Sequence, residues 1–319
     1  MLTATLNEAV LDEALTGLTA SPKTLSPWLF YDQRGSQLFE RITELPEYYL
    51  TRTERAIFAQ HGPELPLLFT TPMTVAELGA GTATKTGVLL KEFADFHGEV
   101  LYQPIDISPT ALDEAAISIA GQIPGVTIRP QVANYIADRY TIERPEDHKV
   151  LALYIGSSIG NFSPHEATGI LRNLRDHLQP GDALLLGTDL APGAHKSIET
   201  LLAAYDDAAG VTAAFNKNVL IRLNRELDAN FDVETFAHRA RWNAAESRIE
   251  MHLESLTAQT VHIAGEAIAF TKGETIHTEN SYKFTAESLA TSLAAGGFTR
   301  THTWHDPDRR FAVTLAEAI

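Results

Sequence analysis

The first residues that could do chemistry are two glycines and a carboxylate that follows them. In 74-TVAELGAGTATKTGVLL-90 an apolar run containing Glu77 turns through Gly79-Ala80-Gly81 and resumes with helix-forming residues. Such a strand–turn–helix lets the backbone approach a ligand closely, although an ordinary tight turn would read the same. The next extended run ends at Asp106 in 103-QPIDIS-108, where an acid can accept hydrogen bonds from both hydroxyls of a ribose. A dinucleotide calls for a third glycine where this chain has Thr84, and a P-loop calls for Lys-Ser/Thr after a longer glycine run. Neither is present. S-adenosylmethionine (SAM) fits better, because it has no phosphate and its carboxylate can be held by backbone N–H groups and Lys85. Methyl transfer is then the leading chemistry. At the third strand end, Asn134-Tyr135 stands where methyl-transfer sites often carry an acid and an apolar residue. Asn134 can accept from the adenine amino group as an uncharged partner, and a plain loop asparagine is the alternative.

A second constellation lies in 279-ENSYKF-284. In an extended segment Glu279 and Ser281 share a face, because side chains alternate with period 2. A carboxylate and a hydroxyl so placed could bind both ring nitrogens of an imidazole; a solvated strand edge is the bland reading. Asn161 follows 156-GSSIG-160 at a strand end, and its amide with a tyrosine such as Tyr48 could hold a substrate carboxylate. Helix capping competes for Asn161, since 163-SPHE-166 opens a helix nearby. Tyr48, Tyr49 and Tyr205 could equally be core residues with one satisfied hydroxyl. The 12 histidines are scattered singly, and His302-x-x-His305 sits in an extended tail without ligand spacing, so no metal is expected. Asp206-Asp207 and Glu246/Glu250 read as a local network and a solvated face.

The elements that must position these residues form two sets. From about residue 73, short apolar strands near 74–78, 100–106, 126–132, 149–156 and 182–189 alternate with helical segments, as in a doubly wound parallel sheet. After Pro192 the alternation stops: 196–227 is mainly helical, and 247–284 shows the period-2 pattern of an antiparallel sheet. A helix at 285–298 and an extended pair around Asp306-Pro307-Asp308 close the chain. Residues 5–17 have helical spacing, and 23–58 mixes loop with short helix in an aromatic-rich cap. The expected division is a cap of 1–60 and 194–284 with a nucleotide-binding domain of 61–193 and 285–319.

The chain has 319 residues, 41 acidic against 25 basic side chains and a formal charge of −16. Such a surface repels phosphate backbones and anionic lipid, so nucleic acid and membranes are poor partners, and a small cationic or zwitterionic ligand suits it. There are no cysteines, which excludes disulfides, thiolate nucleophiles and cysteine-bound zinc. Apolar runs fall short of the ~20 residues that span a bilayer, and the acidic N-terminus is unlike a secretory signal. A cytoplasmic monomer is expected.

The segments 30-FYDQRGSQLFERITELPEYYLTRTE-54, 77-ELGAGTATKT-86, 155-IGSSIGNFSP-164, 187-GTDL-190, 205-YDDAAGVTAAFNKNVLIRLNREL-227, 249-IEM-251 and 279-ENSYKF-284 together resemble, in order along nearly the whole chain, the SAM-dependent histidine Nα-methyltransferases of ergothioneine biosynthesis. That family forms hercynine, the trimethyl betaine of L-histidine, and also includes fungal enzymes that methylate a prenylated tryptophan, so another aromatic amino acid is the alternative substrate. The resemblance implies a Rossmann-like class I methyltransferase domain with a C-terminal antiparallel hairpin and a second α+β substrate-binding domain. It implies SAM contacts from Gly79, Lys85, Asp106, Asn134 and Tyr135, the last two departing from the family's usual Asp-Phe. For the amino acid it implies Tyr31, Tyr48, Asn161, Tyr205, Met251, Glu279 and Ser281. In-line displacement needs the amine freed of its proton and aligned with the methyl carbon. No dedicated base stands out, so Tyr31 with water is expected to relay the proton while Asn161 and Tyr48 position the substrate. The small residues Gly156 and Ser157 would leave room for successive methyl groups. A nucleotide-binding regulator or dinucleotide oxidoreductase is the reading from another class, and Thr84 counts against both.

Overall fold

The computed structural model describes residues 2–81, 83, 85–119, 121–136 and 140–319, with side chains from residue 8 onward; Thr84 lies outside the described residues. The chain divides into two compact units, 1–49 with 192–282 and 50–191 with 283–319.

The second unit is built on one sheet with strands in the order Phe298–His305, Phe311–Ala318, Ala183–Asp189, Lys149–Tyr154, Met73–Leu78, Val100–Asp106 and Val126–Ile128. The inner strands pair in parallel, whereas Phe311–Ala318 runs antiparallel to Ala183–Asp189 and to Phe298–His305. This is the doubly wound sheet with a closing hairpin that the alternation of apolar runs predicts. The central strands are buried at nearly every position, as expected when helices cover both faces of a parallel sheet. Leu151, Leu153, Leu184, Leu185 and Leu186 are fully buried, and each such side chain stabilises the fold by roughly 1.5–3 kcal/mol. The run expected as one strand at 126–132 is two short ones, Val126–Ile128 and Gln131–Val132, both pairing Val100–Asp106. Pro130 between them has no N–H to give the ladder.

The first unit has a four-stranded sheet in the order Lys23–Thr24, Thr275–Tyr282, Arg248–Ser255, Phe236–Asn243, and a separate hairpin of Gln259–Ile263 with Glu266–Phe270. Its helices are Leu2–Thr19, Gln33–Thr43, Ile198–Tyr205 and Val211–Leu227. The break between the last two follows from Asp207, whose carboxylate accepts the backbone N–H groups of Val211 (3.0 Å) and Thr212 (2.7 Å) and so caps the second helix. The strand Phe236–Asn243 does not figure in the sequence expectations. Within Thr275–Tyr282 the pairing shifts between His277, opposite His252, and Glu279, opposite Met251. Thr278 is the inserted residue of a bulge, and its hydroxyl donates to Asn216 Oδ1 (2.7 Å) on the helix Val211–Leu227.

The first crossing between units falls at 49/50 rather than at the expected 60/61. Helix Tyr49–His61 sinks Glu54 beside Lys85 and Gly156 of the second unit, and that polar burial ties it there from Leu50 onward. Among the described residues no helix is long and apolar enough to cross a membrane.

Candidate functional site

In the second unit the strand Met73–Leu78 delivers the chain into a turn that only small residues accommodate. Gly79 and Gly81 have φ of 67° and 53°, left-handed values that cost any other residue free energy. The N–H of Gly79 donates to the Ile105 carbonyl at 2.8 Å. The N–H of Gly81 donates to Asp106 Oδ2 at 3.0 Å, and that of Ser108 to Asp106 Oδ1 at 2.9 Å. Asp106 is thereby fixed in orientation with lone pairs left on both oxygens, enough for two hydroxyls. A Cβ at Gly79 would sit 3.4 Å from the Tyr135 hydroxyl, so Gly79, Asp106 and Tyr135 are brought together. Burial raises the Tyr135 phenol above its usual range, keeping it neutral. Asn134 Oδ1 accepts the Ile136 N–H at 3.1 Å, the local loop role expected of such a residue.

Lys85 donates to Glu54 Oε2 at 2.7 Å, and Glu54 Oε1 accepts the N–H of Gly156 at 2.7 Å. Glu54 is wholly buried. A Cβ at Gly156 would come within 2.8 Å of the Lys85 ammonium, and one at Gly187 within 2.1 Å of Glu54 Oε1, so two glycines make room for this pair. Glu54 was not among the expected site residues. Its signal was a carboxylate on the apolar stripe of Leu50, Ile57 and Phe58, a position where charge survives only with a partner. Beside it, Glu77 accepts from Thr86 Oγ1 (2.8 and 2.7 Å) and from the Tyr102 hydroxyl. Burial pushes the Glu77 carboxyl up to about 7, against the opposing pull of those hydrogen bonds and of Lys85.

After Gly156, Ser157 holds φ of 59° and accepts the Asp189 N–H at 2.9 Å, and Asp189 forms a fully buried ion pair with Lys283 at 2.9 Å. Neither member of that pair was singled out from the sequence. Asn161 ends the short helix Ser158–Asn161. The capping alternative for it does not hold: Ser163 caps the helix Pro164–Asp176 with Glu166 in a reciprocal box. Asn161 is half-buried, and its side chain forms no hydrogen bond among the described residues.

In the first unit, Tyr205 ends the helix Ile198–Tyr205 and its hydroxyl lies 2.7 Å from Ser281 Oγ. The ring of Tyr48 meets that of Tyr205 edge-on at 6.2 Å. Glu279 and Ser281 are both buried and Asn280 between them is less so, the alternation expected of a shared face. Met251 is directly opposite Glu279 in register. Tyr31 packs its ring edge-on against Phe39 (5.8 Å) and Phe215 (5.6 Å) while remaining 38% exposed. The unit therefore gathers Tyr48, Tyr205 and Ser281 in one buried group, sets Met251 across from Glu279, and holds Tyr31 on an aromatic cluster. His238 supports the group: Nε2 lies 2.8 Å from the Tyr205 carbonyl and Nδ1 2.8 Å from the Asn216 amide. Since the carbonyl can only accept, the proton sits on Nε2, and burial lowers the pKa of the ring, keeping it neutral.

Comparison with known proteins gives full-length matches. The model of a family described as histidine-specific methyltransferase, SAM-dependent, matches residues 10–318. A histidine N-alpha-methyltransferase of Mycolicibacterium smegmatis is 43% identical over 97% of this chain and 95% of its own length. One from Mycobacterium tuberculosis is 39% identical over 97% and 94%. The ergothioneine biosynthesis protein 1 of Neurospora crassa is 33% identical over 64% of this chain and 23% of that much longer protein.

Proposed function

We infer the reaction from a firm premise: the chain belongs to the SAM-dependent, histidine-specific methyltransferase family. It methylates L-histidine on the α-amino nitrogen and carries the product through three transfers to hercynine, the entry to ergothioneine. The observation that carries this reading is the match of the histidine-specific family model across residues 10–318.

The residues of the second unit fit SAM. The backbone at Gly79 and Gly81 leaves the space that side chains would fill, and Asp106 keeps free lone pairs for a ribose diol. Tyr135 packs beside the adenosine and the Asn134 amide meets the adenine edge. Lys85, steadied by Glu54, holds the methionine carboxylate through a remaining N–H. SAM supplies an electrophilic methyl on a sulfonium.

For the amino acid, Asn161 and Tyr48 hold the carboxylate and so orient the amine, with Gly156 leaving space around the nitrogen. Glu279 and Ser281 read the two imidazole nitrogens, Tyr205 sets the direction of the Ser281 hydroxyl, and Met251 lines the side-chain pocket. Tyr31 relays the ammonium proton to water before each transfer. The protein acts on the free amino acid as a cytoplasmic monomer, without nucleic acid or membrane.

Steady-state assays with histidine and tryptophan test this. Glu279→Ala should raise the histidine KM by more than tenfold, the loss of a charge-assisted hydrogen bond of about 1.5–3 kcal/mol. An unchanged histidine KM, or equal use of tryptophan by the unaltered protein, would overturn the assignment of Glu279 and Ser281.

A further inference from the structure

The sequence offered no metal site, because its histidines are isolated and carry no ligand spacing. The fold of the first unit changes this by register alone. In the strand Arg248–Ser255, Glu250 and His252 are two apart and share a face. His277 on the neighbouring strand is paired directly with His252, and Asn280 with Glu250. His277 and Asn280 are three positions apart, which would put them on opposite faces of a regular strand; the extra residue of the bulge at Thr278 restores them to the same one. One donor atom from each of Glu250, His252 and His277 lies within 4.8 Å of the others. The two imidazoles are stacked, with centroids 4.7 Å apart.

The details suit an ion rather than a chance cluster. Glu250 is clamped through Oε1 by Arg248 (2.7 Å) and by the Asn243 amide (2.8 Å), while its Oε2 faces His252 Nε2 at 3.2 Å. Zinc–ligand distances of ~2.0–2.2 Å place neighbouring donors of a tetrahedral site about 3.3 Å apart. The His277 Nε2–H donates to the Glu279 carbonyl at 3.1 Å, which leaves the Nδ1 lone pair for a ligand. A backbone carbonyl fixing the tautomer in this way is usual for metal-binding histidine. Two buried polar atoms beside the cluster have no hydrogen-bond partner among the described residues: Nδ1 of His252, a side chain only 7% exposed, and Oδ1 of Asn280. Leaving the Asn280 oxygen unmet costs free energy that coordination would recover.

We propose that Glu250, His252 and His277, with the amide oxygen of Asn280, form a site for a divalent transition metal on the outer face of this sheet, zinc being the ion that two imidazoles, a carboxylate and a neutral oxygen suit best.

Calorimetric titration of the untagged, chelator-dialysed protein with zinc chloride tests it. One zinc should bind per chain with micromolar or tighter affinity, and the His252→Ala/His277→Ala pair of changes should weaken binding at least tenfold while circular dichroism stays unchanged. Absence of saturable binding, or undiminished affinity in the folded double variant, would overturn the proposal. Should that variant fail to fold, crystals of the unaltered protein soaked in zinc decide it. An anomalous peak between His252 and His277 supports the site, and peaks only elsewhere reject it.

Discussion

Replacing Glu77 with glutamine isolates the most strongly perturbed carboxyl beside the glycine turn. In the folded protein it titrates at about 7 because burial disfavours its charge, against 4.5 for an ordinary glutamate. Below the ordinary value both folded and unfolded chains hold the proton, and the group favours neither. As pH rises from there toward about 7, the unfolded chain gives up its proton while the folded one keeps it, so stability falls. Above that the full penalty remains, roughly 3 kcal/mol at about 1.4 kcal/mol for each pH unit between the two titrations. Glu77→Gln carries no titrating proton and keeps an oxygen for Thr86 and Tyr102. Urea unfolding of both proteins from about pH 4 to about pH 8 should show the variant gaining on the parent by ~3 kcal/mol across the window. Titrations shared by both proteins cancel in the difference. Curves that stay parallel within about 0.5 kcal/mol would refute the claim that burial governs this group.

Other outcomes follow from the same geometry. Asp106→Ala removes the acceptor that Gly81 and Ser108 orient, and should raise the SAM Kd ten- to a hundredfold, about 1.5–3 kcal/mol by calorimetry, while leaving the histidine KM nearly unchanged. Glu54→Ala strips Lys85 and the Gly156 N–H of their common partner and should cost about 3 kcal/mol or more in urea unfolding, as breaking a buried pair does; a loss under about 1 kcal/mol would show the pair to be dispensable. Tyr31→Phe keeps the ring packing on Phe39 and Phe215 and should cut turnover far more than SAM binding; unchanged kinetics would remove Tyr31 from the proton path.

Much of the nucleotide-binding unit was legible because its chemistry is local. An apolar run closed by Gly79 and Gly81, followed by one ending at Asp106, dictates strand, turn and acceptor within short spans. The pairing of Glu279 with Ser281 was legible for the same reason, since period-2 alternation needs only adjacent residues. Contacts between distant segments were not. Glu54 and Gly156 lie 102 positions apart, and Ser281 and Tyr205 76 apart, so no spacing rule links them. The strand Phe236–Asn243 was hidden by Arg239 and Arg241, charges tolerated where its outer face meets solvent. The bulge at Thr278 was invisible because it depends on the partner strand's register, and that one residue decides which side chains share a face with His252. Pro130 carried a signal that could have split the expected strand at 126–132, because proline removes a ladder donor wherever it falls.

The central claim, transfer of methyl from SAM to the α-nitrogen of histidine, meets its most direct test in one incubation. The protein is mixed with isotopically methyl-labelled SAM and an equimolar set of the twenty amino acids, and the products are resolved by mass and fragmentation. Histidine should gain up to three labelled methyl groups, all on the α-nitrogen, with the other amino acids unlabelled. Label on a different amino acid, on the imidazole ring, or on none of them would contradict it.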